Sequence, residues 1–377
     1  MTTFAERKTQ RMAERASLFL EKNEWYLKKI GPVCSVLRFR PRIRNLYAAY
    51  EAATDLEQKN RACVDLLNAV QESLLWKAIQ KARCAVEDLR VWKDQIGKRK
   101  VIDRSDHRCK DTYSVAVIVK NEARYIREFI LFYRATGADR IYLYDNDSTD
   151  SLMEELEPFL ASGFVVYRRW TGKKVQLAAY RDVIRRTRRR TKWLALVDAD
   201  EFLFSPRGSM PQQLQAYESF PGVCVDWLFY GPNGHEKRPD GLIMDNYTTR
   251  VADALSPMNC HVKSIVRPCE VVFMNHVHYA VYRKGQYAVN ECGDRMDNTC
   301  AFIGGGGRAF TAVNHKDVFR INHYATKSLE DLTEKCRRGY PDGTPNAVLE
   351  NQLLPFREPL TEDYAIKPYA DIVRAQY

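Results

Sequence analysis

Between Tyr113 and Val197, strand-length apolar segments alternate with helical segments, and this alternation constrains the fold more than any other sequence feature. The apolar segments run from Ser114 to Val119, Ile141 to Tyr144, Phe164 to Tyr167 and Trp193 to Val197. The segments between them, Glu122 to Thr136, Leu152 to Leu160 and Val175 to Arg190, have the pattern of helices. This order predicts an α/β fold with a parallel sheet, right-handed crossovers and flanking helices.

Polar clusters follow three of the four predicted strands. They are Lys120-Asn121-Glu122, the segment from Asp145 to Asp150, and Asp198-Ala199-Asp200. Ligands of such sheets bind beyond the carboxyl ends of the strands. Three clusters at one edge are much less expected by chance than any one of them, so we predict the functional site there.

The last cluster, with Glu201, places three carboxylates within four residues after a buried-type strand. Carboxylates so close together repel one another unless a cation compensates them. A divalent metal ion would do so, and it commonly accompanies a phosphate-bearing substrate. A solvated acidic turn explains these residues equally well, because Asp-x-Asp is common by chance.

The composition excludes several classes of protein. With 377 residues, of which 45% are hydrophobic and 11% aromatic, the chain can bury a large core and is not globally disordered. No apolar run approaches the roughly 20 residues that span a bilayer, and the charged N-terminus does not resemble a secretion signal. We expect a cytoplasmic protein. Its net charge of +11 favours anionic partners and would allow peripheral contact with a membrane.

The ten cysteines are scattered and form no C-x-x-C pair, which disfavours a zinc site of ordinary spacing. We expect reduced thiols, as in most cytosolic proteins. A link between Cys292 and Cys300 across a loop is the exception that stays open.

The chain divides into three predicted parts. Residues 1–105 form a helical N-terminal extension, with one long amphipathic helix from Arg61 to Trp92. It could pack on the main domain, mediate self-association or lie on a membrane. Residues 112–340 form the main domain, with further strands at Val223 to Phe229, Lys263 to Pro268 and Phe319 to Tyr324. Residues 341–377 form a tail that packs on the surface.

Seven segments between Tyr113 and Gly339 carry a resemblance to a known family. They are VKNEARYIREFILFY, IYLYDNDSTD, GKKVQLAAYRDVI, WLALVDADEFL, DWLFYGPNGHEKRPDGL, VKSIVRP and INHYATKS. In order and spacing the chain resembles a GT-A type glycosyltransferase, and more closely the family 92-like group, which is related to family 2. The sequence departs from the family's pattern at two places. Pro232-Asn233 stand in place of two serines, and Asp226 stands in place of asparagine. These departures bear on the acceptor specificity more than on the reaction.

The resemblance implies a Rossmann-like GT-A fold with a mixed, mainly parallel sheet, and it implies roles for individual residues. Asp200 would hold Mn²⁺ or Mg²⁺, with Asp198 near the ribose or the metal and His323 as a further ligand. Asp145 would lie near the nucleotide base. The same pocket would be lined by Lys120, Glu122, Gln176 and Tyr180. For an inverting reaction a base must deprotonate the acceptor, and the candidates are His235 first, then Asp226 and Glu236.

The predicted activity is metal-dependent transfer of a hexosyl or pentosyl group from a nucleotide-sugar donor. The expected acceptor is a glycan, a lipid-linked glycan or another hydroxyl compound, as in polysaccharide biosynthesis. A nucleotidyl- or phosphotransferase would use the same paired aspartates. A non-catalytic protein that binds anions or nucleic acid through Arg185 to Arg190 is a third reading. We do not expect nucleic acid as a partner, because the acidic clusters would repel it.

Overall fold

A computed structural model of the chain describes residues 40–55, 109–173, 175–252, 256–259, 261–274, 276–283, 286–296, 316–338 and 359–377, with a few separate positions elsewhere. These residues belong to two compact units. The first contains the helix α1 (Pro41–Ala52). The predicted helix from Arg61 to Trp92 and the glycines at 304–307 lie outside the continuously described ranges.

The second unit is built on an eight-stranded sheet with the order β3-β2-β1-β4-β8-β6-β11-β5. Its strands are β1 (Asp111–Val119), β2 (Arg140–Asp145), β3 (Val165–Arg169), β4 (Thr191–Leu196), β5 (Glu201–Phe204), β6 (Gly222–Phe229), β8 (Val262–Val266) and β11 (Arg320–His323). Two small sheets pair β9 (Val271–Phe273) with β10 (Val281–Tyr282), and β7 (Thr249–Val251) with β12 (Leu360–Glu362).

Within the described ranges, seven α-helices accompany these sheets. They are α2 (Ala123–Ala135), α3 (Leu152–Ala161), α4 (Gln176–Thr187), α5 (Met210–Leu214), α6 (Ile243–Asn246), α7 (Leu329–Arg338) and α8 (Lys367–Arg374). None of the described helices is long and apolar enough to cross a membrane.

The predicted α/β fold is confirmed, and the sheet is mixed as the resemblance implies. Strands β3, β2, β1 and β4 are parallel, as the alternation predicts, and β11 is parallel to β6. Strand β8 is antiparallel to both β4 and β6, and β5 is antiparallel to β11. The chain therefore leaves the interior strand β4 and, after only four residues, forms the edge strand β5.

The parallel strands are buried on both faces, which explains why their sequences are apolar without interruption. In β1, Val115, Val117 and Val119 pack in one core cluster while Ala116 and Ile118 pack in the other. The first cluster includes Phe129, Phe132 and Tyr133 of α2, and the second includes Val183 and Ile184 of α4. Helices therefore cover the sheet on both sides.

Two further sequence expectations concern the arginine run and the cysteines. Arg185 and Arg186 form ion pairs with Asp182 at 2.7 and 2.6 Å while remaining largely exposed, as expected at the solvated end of a helix. Cys292 is a free, exposed thiol, and Cys300, with which a link stayed open, lies outside the described residues.

The C-terminal residues include a helix that the sequence pattern does not predict. In α8, Tyr369, Ala370 and Val373 are buried in the main core cluster, and the Tyr369 ring lies 5.7 Å from that of Phe132. The Tyr369 hydroxyl donates to the carbonyls of Ser205 and Gly208. The end of the chain thus contributes to the core of the second unit.

The buried Tyr133 hydroxyl ties α2 to β5. It donates to the carbonyl of Glu201 at 2.8 Å and accepts from the amide of Leu203 at 3.1 Å. We expect Tyr133→Phe to lower the free energy of unfolding by about 1–3 kcal/mol, because two buried backbone groups lose their partner. Urea denaturation measures the change. Tyr364→Phe is the control, since that ring is 53% exposed; equal losses in both variants would contradict the account.

Candidate functional site

The three polar clusters predicted from the sequence lie at one edge of the sheet. Val119 of β1 is paired with Asp145 of β2, and Ala116 of β1 with Leu196 of β4, so these parallel strands end together. The Asn121 amide donates to the Ser148 hydroxyl at 2.9 Å, and the Thr149 amide donates to the Asn121 side chain at 2.8 Å. The first two clusters therefore form one connected turn structure.

Asp145 stabilises the turn that follows β2. Its two carboxylate oxygens accept from the Ser148 amide at 2.9 Å and from the Tyr167 hydroxyl at 2.8 Å. Asp147, two residues later, has a positive φ of 54°, a conformation that is uncommon outside glycine. Contact of Asp145 with a nucleotide base stays a prediction.

Asp198 is held by three side chains. Oδ1 accepts from Gln176 at 2.6 Å and from the Tyr180 hydroxyl at 3.2 Å, and Oδ2 accepts from the Lys263 ammonium at 2.6 Å. The resemblance places Gln176, Tyr180 and Asp198 in one pocket, and here they are in direct contact. The partner that the sequence analysis did not identify is Lys263, which lies on β8.

Lys263 is buried, with only 1% of its side chain exposed, and lies between two carboxylates. Its ammonium is 3.4 Å from the carboxylate of Glu201, which is fully buried and accepts from the Asp198 amide at 3.0 Å. Burial would lower the pKa of Lys263, but Asp198 and Glu201 raise it overall, so the lysine stays charged. Burial raises the pKa of Glu201 above its ordinary value of 4.5, although Lys263 opposes this.

Asp200 faces a second lysine and a histidine. Its Oδ2 accepts from the Lys335 ammonium at 2.6 Å, and its Oδ1 lies 3.5 Å from Nε2 of His323. Burial alone would raise the pKa of Asp200, but Lys335 and His323 outweigh it and hold that pKa well below its ordinary value. Asp200 is therefore an ionised carboxylate with most of its surface removed from water.

The register between β5 and β11 brings His323 to this place. His323 is paired with Glu201 on one side and with Phe229 of β6 on the other. Its ring lies 4.4 Å from the Trp227 ring, and its Nδ1 is buried without a hydrogen bond. Burial lowers the pKa of His323 in spite of the neighbouring Asp200, which favours the neutral imidazole.

The fit of a divalent metal ion rests on Asp200 and His323. Among the described residues, no group of three or more His, Cys, Asp or Glu side chains is arranged to hold a metal. Asp200 and His323 nevertheless offer a carboxylate oxygen and a neutral imidazole nitrogen 3.5 Å apart, donors that divalent ions accept. These two would fit one ion whose remaining ligands would come from a substrate. Both oxygens of Asp198 are engaged, by Gln176 and by Lys263, and its role at a metal stays a prediction.

A cavity of about 610 Å³ has on its wall Lys335, the lysine that contacts Asp200. Its walls come from residues 121–125 at the start of α2, from residues 149–151, from residues 325–327 and from α7, including Lys335. Lys327 has a positive φ of 50°, and its ammonium lies 3.9 Å from Glu122 and 4.8 Å from the centre of the Tyr125 ring. The cavity is polar and has two lysines on its walls. Glu122 is on this wall, and Lys120 is half-buried just before it.

The structure places the three predicted base candidates in other surroundings. Asp226 is buried in an ion pair with Lys316 at 2.8 Å. His235 contacts the Asn246 carbonyl through Nε2 at 3.2 Å, and Glu236 is exposed. The carbonyls of His235 and Glu236 accept from the amides of Leu329 and Glu330. The Gly231 to His235 loop thus anchors the first turn of α7, and a role in proton transfer stays a prediction.

Comparison with known proteins finds a family for part of the chain. Residues 112–295 match the family model for Glycosyltransferase family 92. This segment is similar to a glycosyltransferase family 92 domain.

Curated relatives from plants match part of the chain. A glycosyltransferase family 92 protein of Oryza sativa subsp. japonica is 32% identical over 186 residues, which are 47% of this chain and 30% of the relative. One of Ricinus communis is 27% identical over 232 residues, which are 59% of this chain and 37% of the relative. The chain therefore spans about a third of the length of the curated relatives that it matches.

Solved structures of glycosyltransferases are also similar. S. aureus TarS in complex with UDP-GlcNAc has a TM-score of 0.31 and 14% identity, and the match covers 64% of this chain and 66% of that one. The mannosyltransferase PcManGT of Pyrobaculum calidifontis, in complex with GDP-Man and Mn²⁺, has a TM-score of 0.30 and 14% identity, with 78% and 79% covered.

The family 92 match ends before part of the site. Asp198, Asp200 and Lys263 lie inside residues 112–295, whereas His323, Lys327 and Lys335 lie beyond them. Lys263 stands in the VKSIVRP segment that carries the resemblance, but a lysine within an apolar strand does not by itself reveal its partner. Lys335 sits in an ordinary amphipathic pattern, and nothing local distinguishes it from a surface lysine.

The contacts of Lys263 with Asp198 and Glu201 lead to a prediction about stability. Lys263→Met leaves Glu201 and Asp198 without their ammonium, and we expect the free energy of unfolding to fall by about 3–5 kcal/mol. Burial raises the pKa of Glu201 to about 8 while Lys263 is present, and it would be higher without Lys263. The loss relative to wild type should therefore grow as pH rises above about 8, because the folded variant still keeps a proton that the folded wild type and the unfolded chain release. Urea denaturation across this pH range measures both effects.

Two variants control this experiment. Adding Glu201→Gln to Lys263→Met removes the titrating carboxyl group of Glu201. The double variant should regain part of the stability, and its stability should depend less on pH. Lys192→Met breaks a more exposed pair with Glu218 and should cost at most about 1 kcal/mol. A loss for Lys263→Met that is as small as that for Lys192→Met, or independent of pH, would contradict the assigned burial.

Proposed function

We propose that this chain is a glycosyltransferase that transfers a sugar from a nucleotide-sugar donor to a hydroxyl group of a glycan or lipid-linked glycan. The observation that carries the proposal is the placement of Asp200 within the segment that matches family 92. It is a buried, ionised carboxylate at the carboxyl edge of the sheet, in contact with His323 and with Lys335, which lies on the wall of a polar cavity. This carboxylate is the centre of the proposed site.

The donor diphosphate would bind between Asp200 and the cavity. Breaking the bond between the sugar and the diphosphate leaves negative charge on the departing phosphate oxygens. Lys327 and Lys335 lie on the cavity wall together with Arg124 and Arg238, and Lys327 is held by contacts with Glu122 and Tyr125. Cations beside the diphosphate would stabilise the charge that develops on it.

Mn²⁺ or Mg²⁺ would be held by Asp200 and His323, and when bound it supplies further stabilisation of the diphosphate charge. The neutral imidazole and the ionised carboxylate are the forms in which these side chains accept a metal ion. Asp198 would bind the donor together with Gln176 and Tyr180, to which it is hydrogen-bonded. Lys263 holds this group in place from β8.

Inversion at the sugar carbon requires a base on the acceptor side. His235, Asp226 and Glu236 remain the candidates, and none of them is among the described residues that line the cavity. Because the acceptor reaches the sugar from the face opposite the diphosphate, a base need not share that wall.

Incubation of the full chain with UDP- and GDP-linked sugars, with and without Mn²⁺, tests the proposal. We expect nucleoside diphosphate to be released, faster with Mn²⁺, and Asp200→Asn to lower the rate by at least about a hundredfold. Asp240→Asn is the matched control, because that carboxylate is on the surface and 3.8 Å from Arg124. Thermal unfolding of both variants shows whether they are folded.

Two results would contradict the proposal. One is the absence of nucleoside diphosphate release with every donor tested. The other is release that Asp200→Asn leaves unchanged. Release of pyrophosphate from a nucleoside triphosphate would instead identify a nucleotidyltransferase that uses the same acidic residues.

A further inference from the structure

Two lysines neutralise the acidic turn after β4, and their surroundings differ. Lys263 is 1% exposed and lies between Asp198 and Glu201, so it has no space in which to change partner. Lys335 is 19% exposed and lies on the wall of the cavity of about 610 Å³. The first lysine is therefore enclosed by its counter-ions, whereas the second borders the open space of the cavity.

Lys335 is bonded to the same Asp200 carboxylate that would hold a metal ion. Its ammonium is 2.6 Å from Oδ2 of Asp200 and 3.0 Å from the carbonyl oxygen of Ala325. A long lysine side chain on a helix reaches a new acceptor by rotation about its own bonds, without any change in the backbone. The helix α7 itself is fixed at its first turn through the Leu329 and Glu330 amides.

A lysine and a divalent cation compete for the same carboxylate. While the ammonium is bonded to Oδ2, a divalent cation at Asp200 and His323 would lie close to a like charge in a poorly hydrated site. A diphosphate in the cavity changes this balance, because it offers Lys335 a new acceptor with greater negative charge.

We propose that Lys335 is the counter-ion of Asp200 in the nucleotide-free protein and transfers to the diphosphate when a donor binds. Its departure opens the carboxylate to the metal, so nucleotide and metal bind cooperatively. This inference rests on the proposed function, since it requires a diphosphate ligand. Lys335 is thus a positioning residue that sets the order of loading.

The inference predicts effects of opposite sign for one substitution. Lys335→Met removes the competing ammonium, and we expect it to tighten the binding of Mn²⁺ alone roughly tenfold. The same change removes a phosphate contact, so the binding of UDP or GDP without metal should weaken roughly tenfold. Electron paramagnetic resonance of free Mn²⁺ and equilibrium dialysis of each nucleotide in EDTA measure the two affinities on the full chain.

Two variants serve as controls. Arg337→Met removes a positive charge from an exposed position on the same helix and should change neither affinity. Lys335→Arg keeps the charge and should retain weak Mn²⁺ binding in the absence of nucleotide. A purely structural role of Lys335 would instead weaken both ligands in Lys335→Met, because a disturbed site binds everything less well.

The outcomes separate this inference from the proposed function. If UDP or GDP binds the wild-type protein but Lys335→Met changes both affinities in the same direction, or changes neither, the role of Lys335 is overturned and the glycosyltransferase proposal stands. If neither nucleotide binds any variant and no nucleotide sugar is turned over, the proposed function is overturned, and the inference with it.

Discussion

The site depends on the electrostatic cost of burying carboxylates at the end of β4. Asp200 and Glu201 are almost wholly removed from water, and Asp198 lies beside them. Charges in such surroundings are stable only with close counter-ions or protonation. This chain uses both solutions, since lysines face Asp198 and Asp200, and burial favours the proton on Glu201. The order of the strands in the sheet brings these counter-ions to the carboxylates.

The compensating groups come from distant parts of the chain. Lys263 is carried by β8, which lies next to β4, and His323 is carried by β11, which pairs with β5. Lys335 belongs to α7, whose first turn is bonded to the loop that holds His235. The early strands therefore supply the acidic turn, and the later elements supply its cations. Lys263 is enclosed by its counter-ions and has a structural role. Lys335 lines the cavity, where a ligand can contact it.

The first half of the sheet and the site edge could be predicted from the sequence because their signals are local. Strands buried on both faces are continuously apolar, and polar residues at their ends mark the edge where β1, β2 and β4 meet. The return of the chain to β5 was not predictable, since EFLF looks like a continuation of the preceding turn. The cationic partners were missed for a related reason: Lys263 and Lys335 acquire their roles only through contacts 65 and 135 residues away. The helix α8 was missed because its buried face is short and follows a proline-rich segment.

The most direct test of the account is a crystal structure of the full chain with a nucleoside diphosphate and Mn²⁺, with anomalous data at the manganese edge. The account predicts an anomalous peak bonded to the Asp200 carboxylate and the His323 imidazole, with the diphosphate beside it. It also predicts the Lys335 ammonium on the diphosphate and Lys263 still between Asp198 and Glu201. A diphosphate bound away from Asp200, or a Lys335 ammonium still on Asp200 beside a bound diphosphate, would contradict it.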